Sequence, residues 1–483
     1  MTSDRFESLP INADLKRGIT QAMGYETMTK VQSATIPVSL TGVDILAKAK
    51  TGTGKTLAFL IPCVERALRS PRRAGGISVL IISPTRELAQ QIHDEAALAT
   101  RFMGMRLQCI FGGTNIKADL RKLSDATPDI LVATPGRLND HLENQTLARQ
   151  LAGLSALVLD EADQLLEMGF RPAIEAALRN LPPPSARQTL LFSATMPQDV
   201  RAISRIAMRP DFELVDTVGE EESTHEHVPQ SAVVTTMEHG VPQLLLLLRR
   251  AVHDADGAHK IIVFFTTARL TQFHAELCNA MGMPVLEIHS RKSQSQRTKV
   301  SDQFRNGSGL IMFTSDVTAR GMDYPDVTSV IQVGIPSDKA QYIHRLGRTA
   351  RAGKGGRGVL LLCDFEAAFL REVSDLPVVR EEPAGDAQLQ ALLPRVNEAI
   401  LRLPDTTKIT AYQANLGFLN SNLKRLGWNK DQLVSVANDW ACTVMNLSEP
   451  PALEAKTVGK MGLKGVAGLR ISGRDGASGG GGG

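Results

Sequence analysis

The stretch Asp44-Ile45-Leu46-Ala47-Lys48-Ala49-Lys50-Thr51-Gly52-Thr53-Gly54-Lys55-Thr56 decides how this 483-residue chain is read. Asp44–Ala47 is a short apolar run of strand type, and a helical pattern opens after the glycines. The segment between them is a phosphate-binding loop, with Ala49 where the usual pattern has glycine. Gly52 and Gly54 let backbone N–H groups, with those of Thr51 and Thr53, approach phosphate oxygens. Lys55 reaches the terminal phosphates and the Thr56 hydroxyl is placed for Mg²⁺. The helix N-terminus adds a field that favours anions.

Around this loop, short apolar runs alternate with helix-sized segments. Strands are expected at Asp44–Ala47, Ser78–Ser83, Leu107–Phe111, Ile130–Ala133, Ala156–Leu159 and Thr189–Phe192. Runs of this kind, unalternating and separated by helices, belong to parallel strands buried on both faces. A polar, acidic stretch over 217–230 reads as a linker. The pattern then restarts with Lys260–Phe265, Val285–Ile288, Leu310–Phe313, Ser329–Val333 and Val359–Leu362. The class is α/β: two tandem parallel-sheet domains, over 1–216 and 231–375. After Leu376 strand runs disappear, and Ala387–Leu403, Thr406–Leu426 and Asp431–Leu447 look helical. This gives a mainly α-helical C-terminal extension over 376–470, followed by a disordered Gly-rich tail, 471–483.

The second chemical signal is Ala156-Leu157-Val158-Leu159-Asp160-Glu161-Ala162-Asp163, an apolar strand ending in adjacent carboxylates. Asp160 would hold Mg²⁺ through water, since that ion dehydrates reluctantly. Glu161 would position and deprotonate an attacking water. Other polar clusters also follow strands: Pro84-Thr85-Arg86, Gly112-Gly113, Thr134-Pro135-Gly136-Arg137 and Ser193-Ala194-Thr195. Open parallel sheets bind ligands outside the carboxyl ends of their strands, so these clusters converge on one edge. The second domain has no phosphate loop of its own. It carries Thr314 to Asp323 after a strand, and Tyr342 to Arg351 with arginines at 345, 348 and 351, along one helix side or an extended rim. Arg348 and Arg351 would stabilise charge on a transferring phosphoryl group.

Composition narrows the alternatives. Hydrophobic residues make up 43% and charged residues 22%, enough to bury real cores. The longest leucine run, Leu244–Leu248, is far short of the roughly 18 apolar residues of a membrane span. Five scattered cysteines form no C-x-x-C pair, which argues against a zinc ribbon or disulfide framework and suits a reducing compartment. Met1 to Pro10 has no apolar signal region and contains Asp4 and Glu7, unlike a secretory or organellar leader.

Together these blocks resemble the DEAD-box RNA helicases, over about Phe6 to Asp364, with Asp160-Glu161-Ala162-Asp163 spelling the family's name. The resemblance implies two RecA-like domains, ATP and Mg²⁺ as cofactors, and RNA-stimulated ATP hydrolysis. It implies that Phe6 stacks on adenine, Gln32 reads its edge and Asp323 contacts the ribose. Ser193 and Thr195, with His344, would couple nucleotide state to strand separation. Pro84, Arg86, Gly113, Thr134, Arg137 and Thr314 would grip the RNA sugar-phosphate backbone without reading sequence. The implied partners are RNA and protein cofactors, with no membrane, for a monomeric chain. The extension, with Met461–Arg470, is similar to that of fungal mitochondrial members that chaperone intron splicing. This implies the mitochondrial matrix, against which the missing presequence weighs; the cytoplasm is the alternative. Departures from the family pattern are Met28 for proline, Ser290 for glycine, Ala350 for glycine, and Val317-Thr318 for two small residues. An ATP-dependent RNA clamp and a DNA helicase of the same superfamily are the rival readings. A P-loop kinase is disfavoured, because nothing resembles an acceptor site.

The net charge of +3, from 54 basic and 51 acidic residues, conceals a bias. From Leu401 onward ten basic residues face six acidic ones, so that region is +4 and the preceding 400 residues are −1. Auxiliary RNA contacts are therefore expected at Lys424, Arg425 and Lys430.

Overall fold

The computed structural model describes residues 2–50, 52–69, 76–143, 145–218, 228–316, 322, 324–350 and 355–472. The chain divides into two compact units that meet in sequence near residue 221. The first holds β1 (Ile45–Lys48), β2 (Val79–Ile82), β3 (Leu107–Ile110), β4 (Ile130–Ala133), β5 (Ala156–Leu159), β6 (Gln188–Ser193) and β7 (Glu213–Asp216). The second holds β8 (Gln230–Thr235), β9 (Lys260–Phe265), β10 (Leu286–Ile288), β11 (Leu310–Thr314), β12 (Ser329–Val333), β13 (Arg357–Cys363) and β14 (Val378–Glu381). The sheets run β3-β4-β2-β5-β6-β1-β7 and β10-β11-β9-β12-β13-β8-β14, and every pairing is parallel. Strand for strand, the second sheet repeats the topology of the first.

The central strands are apolar because helices cover both faces: all four residues of β2, β4 and β5 are buried. The edge strands obey a different rule. β7 (Glu213-Leu214-Val215-Asp216) and β14 (Val378-Val379-Arg380-Glu381) are each half polar, with Leu214 and Val379 61% and 65% accessible, so neither strand has an apolar run to betray it. β14 also corrects the expectation that strands end at Leu376. Val378–Glu381 pairs with β8 and closes the second sheet.

The extension helices are shorter than expected, for local reasons. Ala387–Leu403 breaks into Asp386–Gln390 and Leu393–Leu401, with Pro394 in the first turn of the second helix. Proline there has no N–H to continue the earlier helix. Thr406–Leu426 breaks at Asn422 into Asp405–Ser421 and Leu423–Leu426, ending at left-handed Gly427. The helix expected at Asp431–Leu447 runs Lys430–Thr443 from an Asn429–Gln432 capping box, and a further short helix, Ala455–Lys460, follows it. The extension does not form a core of its own. Leu416, Leu433 and Ala437 share one buried cluster with Val263, Phe273 and Phe313 of the second sheet layer.

The N-terminal segment is pinned along Glu26–Met28. Phe6 N–H donates to Glu26 O (3.0 Å), Met28 N–H to Asp4 O (2.8 Å) and Thr2 N–H to Met28 O (2.9 Å). This explains Met28: a proline there would have no N–H for Asp4. Behind it, Gly18 opens the turn Gly18–Ala22 against the end of the Arg86–Ala99 helix. A Cβ on Gly18 would lie 1.8 Å from the Ala99 carbonyl oxygen, a backbone atom that cannot rotate away. Gly18→Ala is therefore expected to destabilise the first unit by about 1–3 kcal/mol or more, read as a lower urea midpoint. An unchanged midpoint would show that the turn slides freely.

Glu366 lies buried just past β13, accepting N–H bonds from Cys363 (2.9 Å) and Ile335 (3.3 Å). Burial pushes its carboxyl from 4.5 up to about 7, against those two N–H groups and Arg425. A carboxyl raised in the folded state contributes fully below its unfolded value and loses that contribution as pH rises through the folded one. Between pH 4.5 and 7 it should thus cost on the order of 3 kcal/mol. Glu366→Gln should flatten the fall in melting temperature across that window; an identical pH profile would remove Glu366 as its source.

Candidate nucleotide and nucleic-acid site

The first unit gathers its polar clusters at the carboxyl ends of β1, β2, β4, β5 and β6. The loop after β1 is anchored at its start, where Ala49 N–H donates to Ser193 O at the end of β6 (2.9 Å). The Thr53 hydroxyl donates to Lys50 O (2.7 Å). Gly52 and Gly54 have φ of +77° and +88°, the left-handed region that glycine enters without strain. Thr51 lies outside the described residues. Gln32 braces the loop from the side: its amide nitrogen donates to Gly54 O (3.0 Å) and its amide oxygen accepts Thr29 N–H (2.8 Å). A Cβ on Gly54 would sit 2.6 Å from that amide nitrogen, so side-chain size at 54 and the place of Gln32 are linked. Phe6 is buried in the core of this unit.

Lys55 begins the helix Lys55–Arg69, and its Nζ lies 2.7 Å from Glu161 Oε1 with both side chains buried. Glu161 follows β5 with φ +48°, an uncommon left-handed conformation for a residue with a side chain. That backbone turns the chain from strand into the helix Ala162–Glu167. Among the described residues Glu161 Oε2 is buried without a hydrogen-bond partner. Burial alone would lower the Lys55 ammonium's pKa, but the carboxylates of Glu161 and Asp160 outweigh it and hold it above its ordinary value. Burial pushes the Asp160 carboxyl up to about 7 against the pull of Lys55.

Asp163 ties this turn to β6. Its Oδ2 accepts Thr195 N–H (3.0 Å) and the Thr195 hydroxyl (2.8 Å), and its own N–H donates to Ser193 Oγ (3.3 Å). The Ser193 hydroxyl in turn donates to Thr195 O (2.6 Å). Ser193, Thr195 and the turn bearing Glu161 are thereby one hydrogen-bonded block.

The ends of β2, β3 and β4 carry the second set. Pro84 and Thr85 lead into the Arg86–Ala99 helix, and the Arg86 guanidinium lies over Gly112 and Gly113. A Cβ on Gly113 (φ +87°) would fall 2.3 Å from Arg86 Nη1. Thr134 caps the helix Pro135–Leu142 by position, with its hydroxyl making no cap bond. Arg137 is buried: Nη1 lies 2.6 Å from Asp119 Oδ2 and Nη2 donates to Thr114 O (2.9 Å). Its two terminal nitrogens are thus used in holding the loop after Gly113. Asp119 also accepts the Thr114 hydroxyl (3.1 Å) and lies 3.6 Å from His141. Burial lowers the His141 pKa against the pull of Asp119. Thr114, Asp119 and His141 carried no motif signal, because each sits alone in a loop or helix.

In the second unit Thr314 ends β11 fully buried, its hydroxyl donating to Ser315 O (2.9 Å). His344 lies on the helix Lys339–Leu346, which stops at Gly347, so Arg345 and Arg348 do not share one helix. Arg345 pairs with Asp316 (2.7 Å), and buried Arg348 donates Nε–H to His344 O (3.2 Å). Ala350 sits at φ +53°, where glycine would be unstrained. Arg351 and Asp323 lie outside the described residues, as do Val317 and Thr318. Of the extension's basic residues expected to face RNA, Lys424 is exposed, and Arg425 and Lys430 also hold protein acceptors. The Arg425 guanidinium is used inside the second unit, and Lys430 Nζ donates to Gly462 O (2.8 Å).

Two copies of one parallel-sheet topology, the first with a phosphate loop and a Lys–Glu pair at its strand ends, define a tandem RecA-like nucleotide hydrolase. The DEAD/DEAH box helicase family profile matches residues 29–203, and the helicase conserved C-terminal domain profile matches 243–353. The chain is 46% identical over 474 residues to DEAD-box ATP-dependent RNA helicase 26 of Oryza sativa subsp. japonica, covering 97% of this chain and 87% of the relative. It is 44% identical over 481 residues to DEAD-box ATP-dependent RNA helicase 25 of Arabidopsis thaliana, covering 98% and 84%. Among solved structures, Mss116p bound to ssRNA and AMP-PNP superposes with a TM-score of 0.83 at 29% identity, covering 95% of this chain and 94% of that one. The chain belongs to the DEAD-box ATP-dependent RNA helicase family, an ATP-binding, RNA-binding class of RNA-stimulated ATPases.

Proposed function

We propose that this helicase locally unwinds short RNA duplexes and remodels structured RNA, with ATP binding closing its two domains and hydrolysis releasing the RNA. The observation that carries the reading is the buried Lys55–Glu161 pair at the phosphate loop, beside Asp160. Lys55 exchanges Glu161 for terminal phosphate oxygens, which frees the Glu161 carboxylate to orient water and take its proton. The residues present fit Mg²⁺. Asp160 and Thr56 are oxygen donors, and no cluster of three or more His, Cys, Asp or Glu among the described residues could hold a metal unaided. An ion held by few protein oxygens, phosphates and waters is what Mg²⁺ prefers. When bound, it would neutralise developing charge on the phosphates.

Gln32, with Phe6, reads the adenine and reports on the loop through Gly54; Asp323 holds the ribose. The Asp163–Ser193–Thr195 block carries nucleotide state to His344. Arg348 and Arg351 supply positive charge to the transferring phosphoryl group. Pro84, Arg86, Gly113, Thr134, Arg137 and Thr314 hold the RNA backbone. Such contacts are sequence-independent and favour RNA through its 2′-hydroxyls.

The extension's likeness to Mss116p supports an RNA-chaperone role, and we assign intron folding in the mitochondrial matrix as its setting, with the cytoplasm as the alternative that cell fractionation would reveal. Monomeric action, aided by protein cofactors, belongs to the same proposal. The test is ATPase rate against RNA and against DNA at stated salt, together with duplex displacement. RNA stimulation with displacement supports the reading. Stronger stimulation by DNA overturns it, and ATP-dependent retention on RNA without displacement replaces unwinding by clamping.

A further inference from the structure

We propose that Arg425, on the short Leu423–Leu426 helix of the extension, is a positioning residue for the helix Lys339–Leu346 and so for His344 and Arg348. The inference rests on the functional reading above for its catalytic consequence, but its structural part stands alone.

The geometry is that of one guanidinium with four acceptor oxygens on three residues. Nε and Nη2 form a fork on Glu372, at 2.6 and 2.8 Å from its two carboxylate oxygens. Nη1 donates to the carbonyls of Pro336 (2.6 Å) and Ser337 (3.1 Å). The charged carbon lies 4.9 Å from the centre of the Phe369 ring. Phe369 lies buried on the turn Asp364–Arg371 that follows β13, and Glu372 caps that turn.

The two carbonyls are what matter. Gly334 to Ser337 is the loop that leaves β12 and enters the helix Lys339–Leu346. Its Ile335 N–H is held from the other side by Glu366 (3.3 Å). Asp338 then caps the helix by accepting Gln341 N–H (2.7 Å). The helix is eight residues long and ends at Gly347, with Arg348 bonded back to His344 O. Tyr342 and Leu346, buried in the second unit's core, hold the body of this short helix, and the loop before it sets where it begins. Arg425 therefore fixes the entry of the element whose far end carries His344 and Arg348. A misplacement of about 1 Å at a reacting group can cost on the order of a hundredfold in rate. A lysine could not replace the fork, because one ammonium is a point donor where a guanidinium is a planar one.

The experiment compares the full-length wild type with Arg425→Ala. Amide hydrogen exchange is followed at 342–347 without nucleotide or RNA, and ATP hydrolysis is followed with saturating poly(U). The expected results are exchange in that segment at least about fivefold faster, with other segments unchanged. The kcat should be about tenfold lower, with KM for ATP within twofold. Millimolar methylguanidinium should restore part of kcat. Unchanged exchange, or exchange that quickens with kcat intact, overturns the proposal, as does a loss confined to KM. If Arg425→Ala does not fold, Arg425→Lys is read in the same way, and wild-type behaviour overturns it. If the wild type shows no RNA-stimulated hydrolysis, the functional reading falls, and exchange alone decides the positioning.

Discussion

Lys55→Ala should lower RNA-stimulated ATP hydrolysis about a thousandfold or more, the scale at which a site loses a principal electrostatic contact to developing charge. The variant loses more than a phosphate ligand. Lys55 and Glu161 are 6% and 1% exposed at 2.7 Å, so truncation leaves Glu161 buried beside Asp160 with no cation. Breaking a buried pair by removing one partner costs about 3–5 kcal/mol. The urea midpoint should therefore fall along with activity. The sign of the pH dependence is definite. Lys55 is held above its ordinary value of 10.5, so its contribution is complete below that value and is lost as pH rises through the folded pKa. From pH 7 to 9 the ammonium's contribution to the stability gap should therefore stay constant. Hydrolysis within tenfold of wild type would remove Lys55 from the phosphate site.

Glu161→Gln should behave differently: hydrolysis down about a hundredfold to ten-thousandfold, the usual worth of a general base, with binding of ATP and RNA retained. The glutamine is nearly isosteric. Its amide oxygen can accept from Lys55, and its NH₂ then occupies the place of Oε2, which has no hydrogen-bond partner to lose. The left-handed backbone at φ +48° is set by the turn out of β5, not by the carboxylate, so the fold should persist. What disappears is the ability to take a proton from water. The variant should accumulate as a closed complex with ATP and RNA, measurable as slow release of labelled RNA. Undiminished RNA-stimulated turnover would sink the assignment of Glu161 as base.

Much of the site was legible before any coordinates. A glycine-rich turn after a strand, and carboxylates at the end of another, are local signatures whose chemistry follows from residue type and spacing. Helix ends in the extension were less legible, because Pro394, Asn422 and left-handed Gly427 punctuate it in ways that periodicity overlooks. β7 and β14 escaped because an edge strand has one neighbour and an exposed face, and so needs no apolar run.

The roles of charged side chains divided along another line. Arg137 and Arg425 read as groups offered to RNA, and each also holds protein acceptors that the order of residues does not reveal: Asp119 and Thr114 O for the first, Glu372 and two loop carbonyls for the second. Charge is a property of the residue, whereas its partner lies 18 positions away in one case and 53 in the other. The amino-acid order alone specified the class of fold, the phosphate loop and the paired carboxylates, because those depend on backbone conformation and neighbours a few residues apart. Tertiary structure decided the rest. It joined Lys55 to Glu161, locked Asp163 to Thr195, ran a strand of the expected extension into the second sheet and gave Arg425 and Lys430 protein carbonyls to hold. Each of these depends on which distant segments pack together, and that is settled by burial of the whole chain.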